Sequence, residues 1–394
     1  MKHMTFVLML LLLSYGGKGQ QKNGIKLQKQ ELIFPLQKLH VHGSSIVELP
    51  SGDLLVAWFE GSGERTADDV RIMGAKFSQR NKTWGKPYEL ADTPGIPDCN
   101  PVLFLHNNEL FLVWIAVQAN KWENSILRVR KSQSFEAEQV AWNWQDNIFL
   151  KPDSNFEKEV KDRFKELPNL HRGWAEYAPE YDDLIVQASG DLLKRSIGWM
   201  TRIKPLVIGT GRILLPVYSD GLNMSMIAYS DDHGKQWKSS LPIVGRGNIQ
   251  PALVENSQGE ILAFMRDSGD APSKLQFSKS TDQGLSWTAN VELDIPSTAS
   301  VEVLQVEKNN WFLLVNDLEE GRAQLSLYQS KDEGITWLSK GIVVADKEKK
   351  GRFSYPAMIL GKEGQIHITY SHHQGNDMKS IAYVCIDTKT WSSH

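Results

Sequence analysis

Cysteine and net charge are both scarce in this 394-residue chain, and each shortage excludes a class of protein. Cys99 and Cys385 are the only cysteines, too few for a disulfide framework; in an exported protein they could pair, or they could be two buried thiols. A formal net charge of −3 implies no polybasic surface, so we expect no nucleic-acid partner. Beyond the N-terminus no long apolar run occurs, and we expect no membrane span.

The first twenty residues have the pattern of a targeting segment. Lys2 gives a positive start, an apolar core follows over residues 6–13, and small glycines come next. Because the apolar core is too short to span a bilayer, the pattern predicts a signal peptide over residues 1–20 that is cleaved on export. We therefore expect a soluble protein that is periplasmic or secreted.

Three short stretches repeat one pattern, Ser-x-Asp-x-Gly-x-x-Trp, at a spacing of 50 residues. They are Ser230–Trp237, Ser280–Trp287 and Ser330–Trp337. Asp and Gly are hairpin-turn residues, and the large Trp side chain suits the space between packed sheets. A fixed period near this length is typical of propellers and solenoids.

This pattern resembles the Asp-box, or BNR repeat, of the sialidase-like propeller superfamily, which lies in the turn between the third and fourth strands of a blade. Six buried-strand openings along the chain, followed by turn signals, predict an all-β fold, a six-bladed β-propeller with four-stranded blades. We expect one propeller domain over residues 35–392, with the three boxes on consecutive blades three, four and five. We expect the protein to be a monomer.

One segment, residues 151–194, breaks the β pattern. Phe156, Val160, Phe164 and Leu167 recur at helical spacing, which predicts a helical insertion between blades two and three. Its role stays open between a brace that packs against these blades and a lid over the site, since long insertions are often functional. The polar and aromatic residues that a lid would use are His171, Arg172, Trp174, Tyr177 and Tyr181.

Candidate site residues lie at the start of each blade, because the first strand of a propeller blade lines the central channel. The resemblance implies a tyrosine nucleophile in the last blade and arginines that clamp a carboxylate. Tyr355 and Arg266 match those positions, and Arg352 is a candidate for a further clamp arginine. Asp68 or Asp69 fits loosely as the acid/base carboxylate. The predicted substrate-binding residues are Arg202, Arg266, Arg352, Asn100, Gln250, Asp69 and His372.

Two parts of the sialidase pattern are missing. His42 stands where the family has the first arginine of its clamp, and the strand after Tyr355 lacks the glutamate that partners the tyrosine. Histidine, tyrosine and arginine together suit β-elimination at a uronic acid: arginine neutralises the C6 carboxylate, one group takes the C5 proton, and another protonates the leaving C4 oxygen. In this respect the chain resembles ulvan-lyase and oligosaccharide-dehydratase propellers of marine bacteria, with His42 and Tyr355 as the catalytic pair.

We therefore expect a carbon–oxygen lyase whose partner is an acidic, uronate-containing oligosaccharide, sulfated algal glycans of the ulvan type included. Two alternatives stay open: a sialidase-type exo-hydrolase on acidic glycans, and a non-catalytic glycan-binding propeller. His40 and His42 share a strand face and could bind a metal, but no third ligand is identifiable. We expect no metal and no other cofactor.

Overall fold

A computed structural model describes residues 25–168, 180–269 and 271–388 of the chain. Within them, the strands form six antiparallel sheets of four or five strands each. The prediction of an all-β, six-bladed β-propeller is confirmed. The predicted signal peptide lies outside the described residues.

The strands and helices of the described residues are numbered in chain order. The strands that precede the insertion are β1 (Leu27–Leu32), β2 (His40–Glu48), β3 (Leu54–Gly61), β4 (Arg71–Ser78), β5 (Thr83–Trp84), β6 (Tyr88–Ala91), β7 (Asp98–His106), β8 (Glu109–Val117), β9 (Ser125–Ser132) and β10 (Trp144–Ile148). Two short 3-10 helices, Gln118–Asn120 and Trp122–Asn124, precede β9. The helices of the insertion are α1 (Asn155–Phe164), α2 (Tyr181–Gly190) and α3 (Leu192–Ser196).

The remaining strands follow α3. They are β11 (Trp199–Thr201), β12 (Leu206–Val207), β13 (Ile213–Ser219), β14 (Met224–Ser230), β15 (Lys238–Ser239), β16 (Asn248–Glu255), β17 (Ile261–Asp267), β18 (Lys274–Ser280), β19 (Val291–Pro296), β20 (Glu302–Glu307), β21 (Asn310–Val315), β22 (Gln324–Ser330), β23 (Leu338–Ala345), β24 (Arg352–Leu360), β25 (Gln365–His373) and β26 (Lys379–Asp387).

Each blade except the last is built from strands that are consecutive in the chain. Strands β2 to β6 form blade one, β7 to β10 blade two, β11 to β15 blade three, β16 to β19 blade four and β20 to β23 blade five. The first strand of blade one, β2, contacts both β7 of blade two and β24 of blade six. The six sheets therefore close into a ring around a central channel.

Blade six joins the two ends of the chain. Its strand order is β1-β26-β25-β24, and β1 pairs antiparallel with β26, with Leu32 opposite Ala382. The N-terminal strand thus completes the last blade and closes the ring through backbone hydrogen bonds. The predicted domain began at residue 35 and left this strand out.

The three Asp-boxes connect the third and fourth strands of blades three, four and five, as predicted. In the second box, Ser280 Oγ accepts a hydrogen bond from Gly284 N at 2.9 Å and donates one to Asp282 Oδ1 at 2.7 Å. The equivalent bonds form in the first and third boxes. Each box is therefore a turn held by its own side chains, and Trp287 of the second box is buried.

The box glycines also set how closely neighbouring blades pack. Gly284 has a φ of +84°, and a Cβ there would lie 3.0 Å from Leu214 of the preceding blade. Gly234 and Gly334 have the same left-handed conformation and abut Phe111 and Phe264 of their preceding blades. Because both the conformation and the space favour glycine, the box fixes a turn and an inter-blade contact at once.

The insertion is helical in its described parts, with the apolar side of α1 buried as its periodicity predicts. Arg246 of the loop before β16 forms a 2.8 Å ion pair with Asp182 of α2, which ties the insertion to blade four. Of the residues proposed for a lid, Tyr181 is described, and its Oη accepts a hydrogen bond from Asn223. The others lie outside the described residues.

Two further expectations concern the membrane and the cysteines. Among the described residues, no helix combines the length and the apolar character needed to cross a bilayer. Cys99 on β7 and Cys385 on β26 are both buried and unbonded to each other. Of the two alternatives for the cysteines, the structure therefore shows the pair of buried thiols.

Candidate active site

Four of the six channel-lining strands share one irregularity. Gly43, Asn100, Gln250 and Tyr355 all have positive φ, between +52° and +66°. Strand pairing shifts register at each of these places, so each residue occupies a β-bulge on the first strand of blades one, two, four and six. Bulges redirect side chains, and non-glycine residues in this conformation concentrate at functional sites.

Hydrogen bonds and ring stacking connect the bulge residues with side chains of other blades across the channel. Asn100 Nδ2 donates a hydrogen bond to Tyr218 Oη at 3.1 Å, and Gln250 Nε2 donates one to Tyr355 Oη at 3.4 Å. Tyr355 in turn stacks on His42 of blade one, with 4.1 Å between ring centroids and 28° between ring planes. Side chains from five blades thus converge at one end of the channel.

Tyr355 lies among positively charged side chains. The guanidinium of Arg202 lies 4.9 Å from the Tyr355 ring centroid and that of Arg322 lies 5.4 Å from it. Burial raises the pKa of the Tyr355 phenol, but the positive charges of Arg266 and Arg322 outweigh it, and the net pKa lies below that of an ordinary tyrosine. The site therefore makes Tyr355 more acidic than an ordinary tyrosine.

His42 is neutral and its tautomer is set by Ser371 of β25. The buried Ser371 Oγ accepts a hydrogen bond from Gly43 N at 3.0 Å and lies 2.8 Å from His42 Nδ1. The arrangement that satisfies both groups has the Ser371 hydroxyl donating to Nδ1, which leaves the His42 proton on Nε2. Burial, followed by the charges of neighbouring histidines and arginines, lowers the pKa of His42 well below its ordinary value. His42 can therefore offer a neutral N–H donor to a ligand.

Two more histidines and a glutamate extend the wall of the site. His40 Nε2 lies 3.1 Å from Glu64 Oε2. His373 Nε2 donates a hydrogen bond to Val41 O at 2.7 Å, so its Nδ1 is the unprotonated nitrogen. Burial lowers the pKa of His373 to about 4, so this side chain is neutral as well.

These groups open into a cavity of about 650 Å³ between blades one and six. Its lining includes His42, Tyr355, Glu64, Arg322 and Arg352. The volume falls within the range of small-ligand sites. The combination of a phenol, neutral imidazoles and guanidinium groups suits an anionic, hydroxylated ligand.

The predicted site residues divide into four groups, of which the first three lie at the channel or its cavity. His42, Tyr355 and Arg352 line the cavity. Asn100 and Gln250 are buried in the channel cluster, and Arg266 contributes its charge to Tyr355 from β17. Arg202 is buried and donates hydrogen bonds of 3.0 Å to the backbone carbonyls of Ser44 and Pro356, which binds blades one and six together.

Asp69 and His372 lie away from the cavity lining. Asp69 is exposed and accepts hydrogen bonds from the Ser62 backbone and hydroxyl, which hold a turn of the β3–β4 loop. His372 packs against Phe353, with 5.1 Å between ring centroids. Successive side chains of a strand point to opposite faces, and it is His373 that faces His42.

Glu64, Arg322 and His373 are among the cavity residues that were not predicted from the sequence. Glu64 precedes Asp69 in the same loop, and His373 adjoins His372, so in these two segments the cavity is lined by a residue close to the predicted one. Arg322 lies in the loop between β21 and β22, where no strand pattern or motif marks it. No group of three or more His, Cys, Asp or Glu side chains in the described part of the chain is arranged to hold a metal ion.

The ring of six four-stranded or five-stranded sheets, the three Asp-boxes and the central cavity define a BNR-type β-propeller. The chain belongs to the BNR repeat-like domain family, whose model matches residues 52–169 and 192–368.

Solved structures with the same architecture are only distantly similar in sequence. A protein of unknown function from Dyadobacter fermentans has a TM-score of 0.67 at 15% identity, covering 92% of this chain and 99% of that one. The intramolecular trans-sialidase from Ruminococcus gnavus, in complex with oseltamivir carboxylate, has a TM-score of 0.64 at 13% identity, covering 90% and 96%. The NanB sialidase from Streptococcus pneumoniae has a TM-score of 0.62 at 12% identity, covering 89% and 69%. At these identities the similarity establishes the fold alone.

Proposed function

We propose that this protein is a carbohydrate-active enzyme that cleaves the C4–O bond of uronate-containing oligosaccharides by β-elimination. The observation that carries the proposal is the environment of Tyr355: a half-buried phenol that lines the cavity beside two arginines, hydrogen-bonded by an amide and stacked on a neutral imidazole. This environment stabilises a phenolate, which is a base strong enough to take a proton from carbon next to a carboxylate that arginine has neutralised.

The hydrogen-bond partner of Tyr355 favours elimination over hydrolysis. A tyrosine nucleophile of the sialidase type is partnered by a carboxylate, which can accept the phenol proton. Here the Gln250 amide donates to Tyr355 Oη, and an amide cannot accept that proton in a reaction cycle. The amide and the neighbouring guanidinium groups therefore favour ionisation of Tyr355 without a carboxylate that takes its proton.

In the proposed reaction Tyr355 acts first as the base and then as the acid. Tyr355 Oη takes the C5 proton, the C5–H electron pair forms the C4–C5 double bond, and the C4–O bond breaks with its electrons on oxygen. The new phenol then gives its proton to that oxygen, which restores the phenolate. If the leaving oxygen carries a sugar, the enzyme is a lyase; if it is a terminal hydroxyl, water leaves and the enzyme is a dehydratase.

The arginines and His42 would hold the substrate during this reaction. Arg322 and Arg352 line the cavity, so either guanidinium can form a paired hydrogen bond with the C6 carboxylate. The N–H of His42 would donate to the charge that develops on the substrate as the C5 proton leaves. The Ruminococcus gnavus trans-sialidase structure likewise contains an acidic ligand, oseltamivir carboxylate.

A sialidase-type exo-hydrolase is the second candidate, and one observation favours it: a channel tyrosine beside two arginines occurs on a fold shared with sialidases. Under either reading the substrate is an acidic glycan, and the predicted signal peptide would place the enzyme in the periplasm or outside the cell.

A product assay distinguishes these candidates. The purified protein is incubated with uronate oligosaccharides, and products are followed by ultraviolet absorbance and mass spectrometry. Elimination predicts the absorbance of a 4,5-unsaturated uronate, with a cut that consumes no water or with loss of one water. Release of a saturated monosaccharide without this absorbance would identify the hydrolase. Binding of the oligosaccharide without any product would identify the protein as a non-catalytic glycan-binding propeller.

A further inference from the structure

A second cavity lies beside the channel cavity, between blades five and six. Its volume is about 470 Å³, and it shares Arg322, Lys350 and Arg352 with the lining of the channel cavity, so the two cavities adjoin. Lys349 adds a fourth cationic residue, and within the described part of the chain Glu320 is the one acidic residue of this lining. The second cavity therefore extends the candidate active site with an excess of positive charge.

The two lysines belong to a turn, residues 346–351, whose shape is fixed by Asp346. The Asp346 carboxylate accepts hydrogen bonds from the backbone N–H groups of Glu348, Lys350 and Gly351 at 3.0, 3.0 and 2.7 Å. These bonds lower the pKa of the Asp346 carboxyl, so it stays ionised near neutral pH. Asp346 N donates another bond to Ala323 O at 2.8 Å, which joins the turn to blade five. Because the turn is ordered by its own contacts, the backbone that carries the lysines loses little conformational freedom when a ligand binds.

The positive charge at this turn is only partly neutralised. Lys350 Nζ forms a 2.7 Å ion pair with Glu348, but the two side chains are 69% and 70% exposed, so the pair contributes little and a ligand can replace it. No carboxylate of a described residue lies within 4.0 Å of Lys349 Nζ or of the Arg352 guanidinium. An anion from solution or from a ligand can therefore bind at the turn.

Arg322 links this positive charge to the channel cavity. Burial lowers the pKa of its guanidinium, and the positive charges of Arg266 and Arg352 lower it further. Its guanidinium also lies 5.4 Å from the Tyr355 ring centroid, at the candidate active site. A ligand that spans the two cavities therefore meets cations in both.

We propose that Lys349, Lys350 and Arg352 form a subsite for a second anionic group of the substrate, on the sugar next to the uronate. The choice of an oligosaccharide as the ligand rests on the proposed function. Because the two cavities adjoin at Arg322, an oligosaccharide whose uronate lies beside Tyr355 extends its neighbouring sugar over the turn. Lysine binds an anion as a point charge and imposes no planar geometry, so the group recognised is either a sulfate ester or a carboxylate.

The test is isothermal titration calorimetry with three ligands: a sulfated ulvan tetrasaccharide, the same tetrasaccharide after chemical desulfation, and tetragalacturonate. The parent protein carries Tyr355→Phe, so that no ligand is consumed. We expect the sulfated ligand, tetragalacturonate or both to bind more tightly than the desulfated ligand. Lys349→Gln combined with Lys350→Gln should lower the affinity for the tighter ligand about fivefold, since each exposed charge contact contributes little by itself. The ligand whose affinity falls identifies the anion as a sulfate or a carboxylate.

The matched control is Lys340→Gln combined with Lys347→Gln, which removes the same number of positive charges. Lys340 lies on β23 and Lys347 lies in the turn itself, and neither lines the channel cavity or the second cavity. This variant should bind the three ligands as the parent does. Melting curves check that both double variants fold.

Three results would overturn the proposal. They are a parent that does not prefer the sulfated ligand or tetragalacturonate, equal losses of affinity in the two double variants, and an equal loss for the desulfated ligand. Turnover is measured separately on protein with Tyr355 intact. A preference that depends on the two lysines, without turnover, would overturn the proposed enzyme and retain the anion subsite. Turnover without such a preference would do the reverse, so the two failures give different results.

Discussion

At the rim of this propeller three blades carry the same Asp-box sequence, whereas at the channel four blades carry the same backbone bulge with different residues. In the boxes, serine, aspartate and glycine satisfy one another within the turn. At the bulges, Gly43, Asn100, Gln250 and Tyr355 share a positive φ but reach out to other blades.

The Asp-boxes therefore stabilise the ring, whereas the bulge residues form the candidate active site. A box is self-contained, so its sequence can repeat wherever the same turn is needed. A bulge residue depends on its partners, which come from other blades, so each position needs a different side chain. Substitutions at the rim should therefore change stability, and substitutions at the channel should change turnover.

The largest expected effect is that of Tyr355→Phe. This change removes one oxygen and leaves the stacking on His42 in place, so folding should be retained. Turnover should fall by about 100-fold or more, the usual contribution of a general base. The measurement is steady-state turnover together with a melting curve. A variant that folds normally and keeps its turnover would show that the phenol takes no part in the chemistry.

His42→Ala should follow, with a loss of about 100-fold in kcat. Loss of one preorganised donor to developing charge has an effect of this size. Steady-state kinetics separate the two roles of this residue, since a donor to the transition state lowers kcat, while a group that only binds the substrate raises KM. A normal kcat with a raised KM would contradict the assigned role and would suit the hydrolase.

Arg266 tests the electrostatic part of the site. Arg266→Lys keeps the charge but loses the planar fork, and turnover efficiency should fall about tenfold. Activity of the unsubstituted enzyme should rise with pH through the lowered pKa of Tyr355, because the phenolate is the active form. Removal of the charge in Arg266→Gln raises that pKa, so the profile should move to higher pH, while Arg266→Lys should move it little. If the pH–activity profiles of Arg266→Gln and the unsubstituted enzyme coincide, the phenolate of Tyr355 is not the active form.

The smallest effect on turnover is expected at the rim. Asp282 accepts hydrogen bonds from Ser280, Leu285 and Ser286, and Asp282→Ala should lower the free energy of unfolding by about 1–2 kcal/mol without changing kcat. The control is Asp294→Ala, since the Asp294 carboxylate is almost fully exposed in its ion pair with Lys274 and should contribute little. Denaturant unfolding and turnover assays compare the two variants.

Acid should weaken all three boxes together. Burial raises the pKa of Asp282, but its hydrogen bonds outweigh this, and the pKa of all three box aspartates is lowered in the folded protein. A lowered folded-state pKa adds stability above the unfolded value, near 3.9, and that stability is lost as pH falls through the folded-state value. Asp282→Ala should thus lose less stability on acidification than the unsubstituted protein.

The fold was predictable because its signal is local. The boxes lie within eight residues each, the six strand openings are local runs that indicate the blade count, and the helical spacing of apolar residues indicates the insertion. Strand β1 was missed because its pairing partner is distant in sequence. Residues 27–32 become a strand by pairing with residues 382–386. A strand that pairs only with the other end of the chain has no turn or neighbouring strand beside it in the sequence to predict it.

The site was predictable only in part for the same reason. Tyr355 and His42 were found because each occupies a definite place on the first strand of a blade. Arg322 lies in a loop, and its approach to Tyr355 depends on ring closure. The choice between His372 and His373 depends on strand register, which the bulge at Tyr355 alters, and alternation alone does not reveal it.

The most direct test follows the hydrogen at C5 of the substrate. Uronate oligosaccharides that carry deuterium at C5 are incubated with the enzyme, and the masses of the products are measured by mass spectrometry. Tyr355→Phe serves as the inactive control. Removal of the C5 proton by Tyr355 predicts an unsaturated uronate that has lost its deuterium. A saturated product that retains the deuterium would contradict elimination and leave hydrolysis as the function of this site.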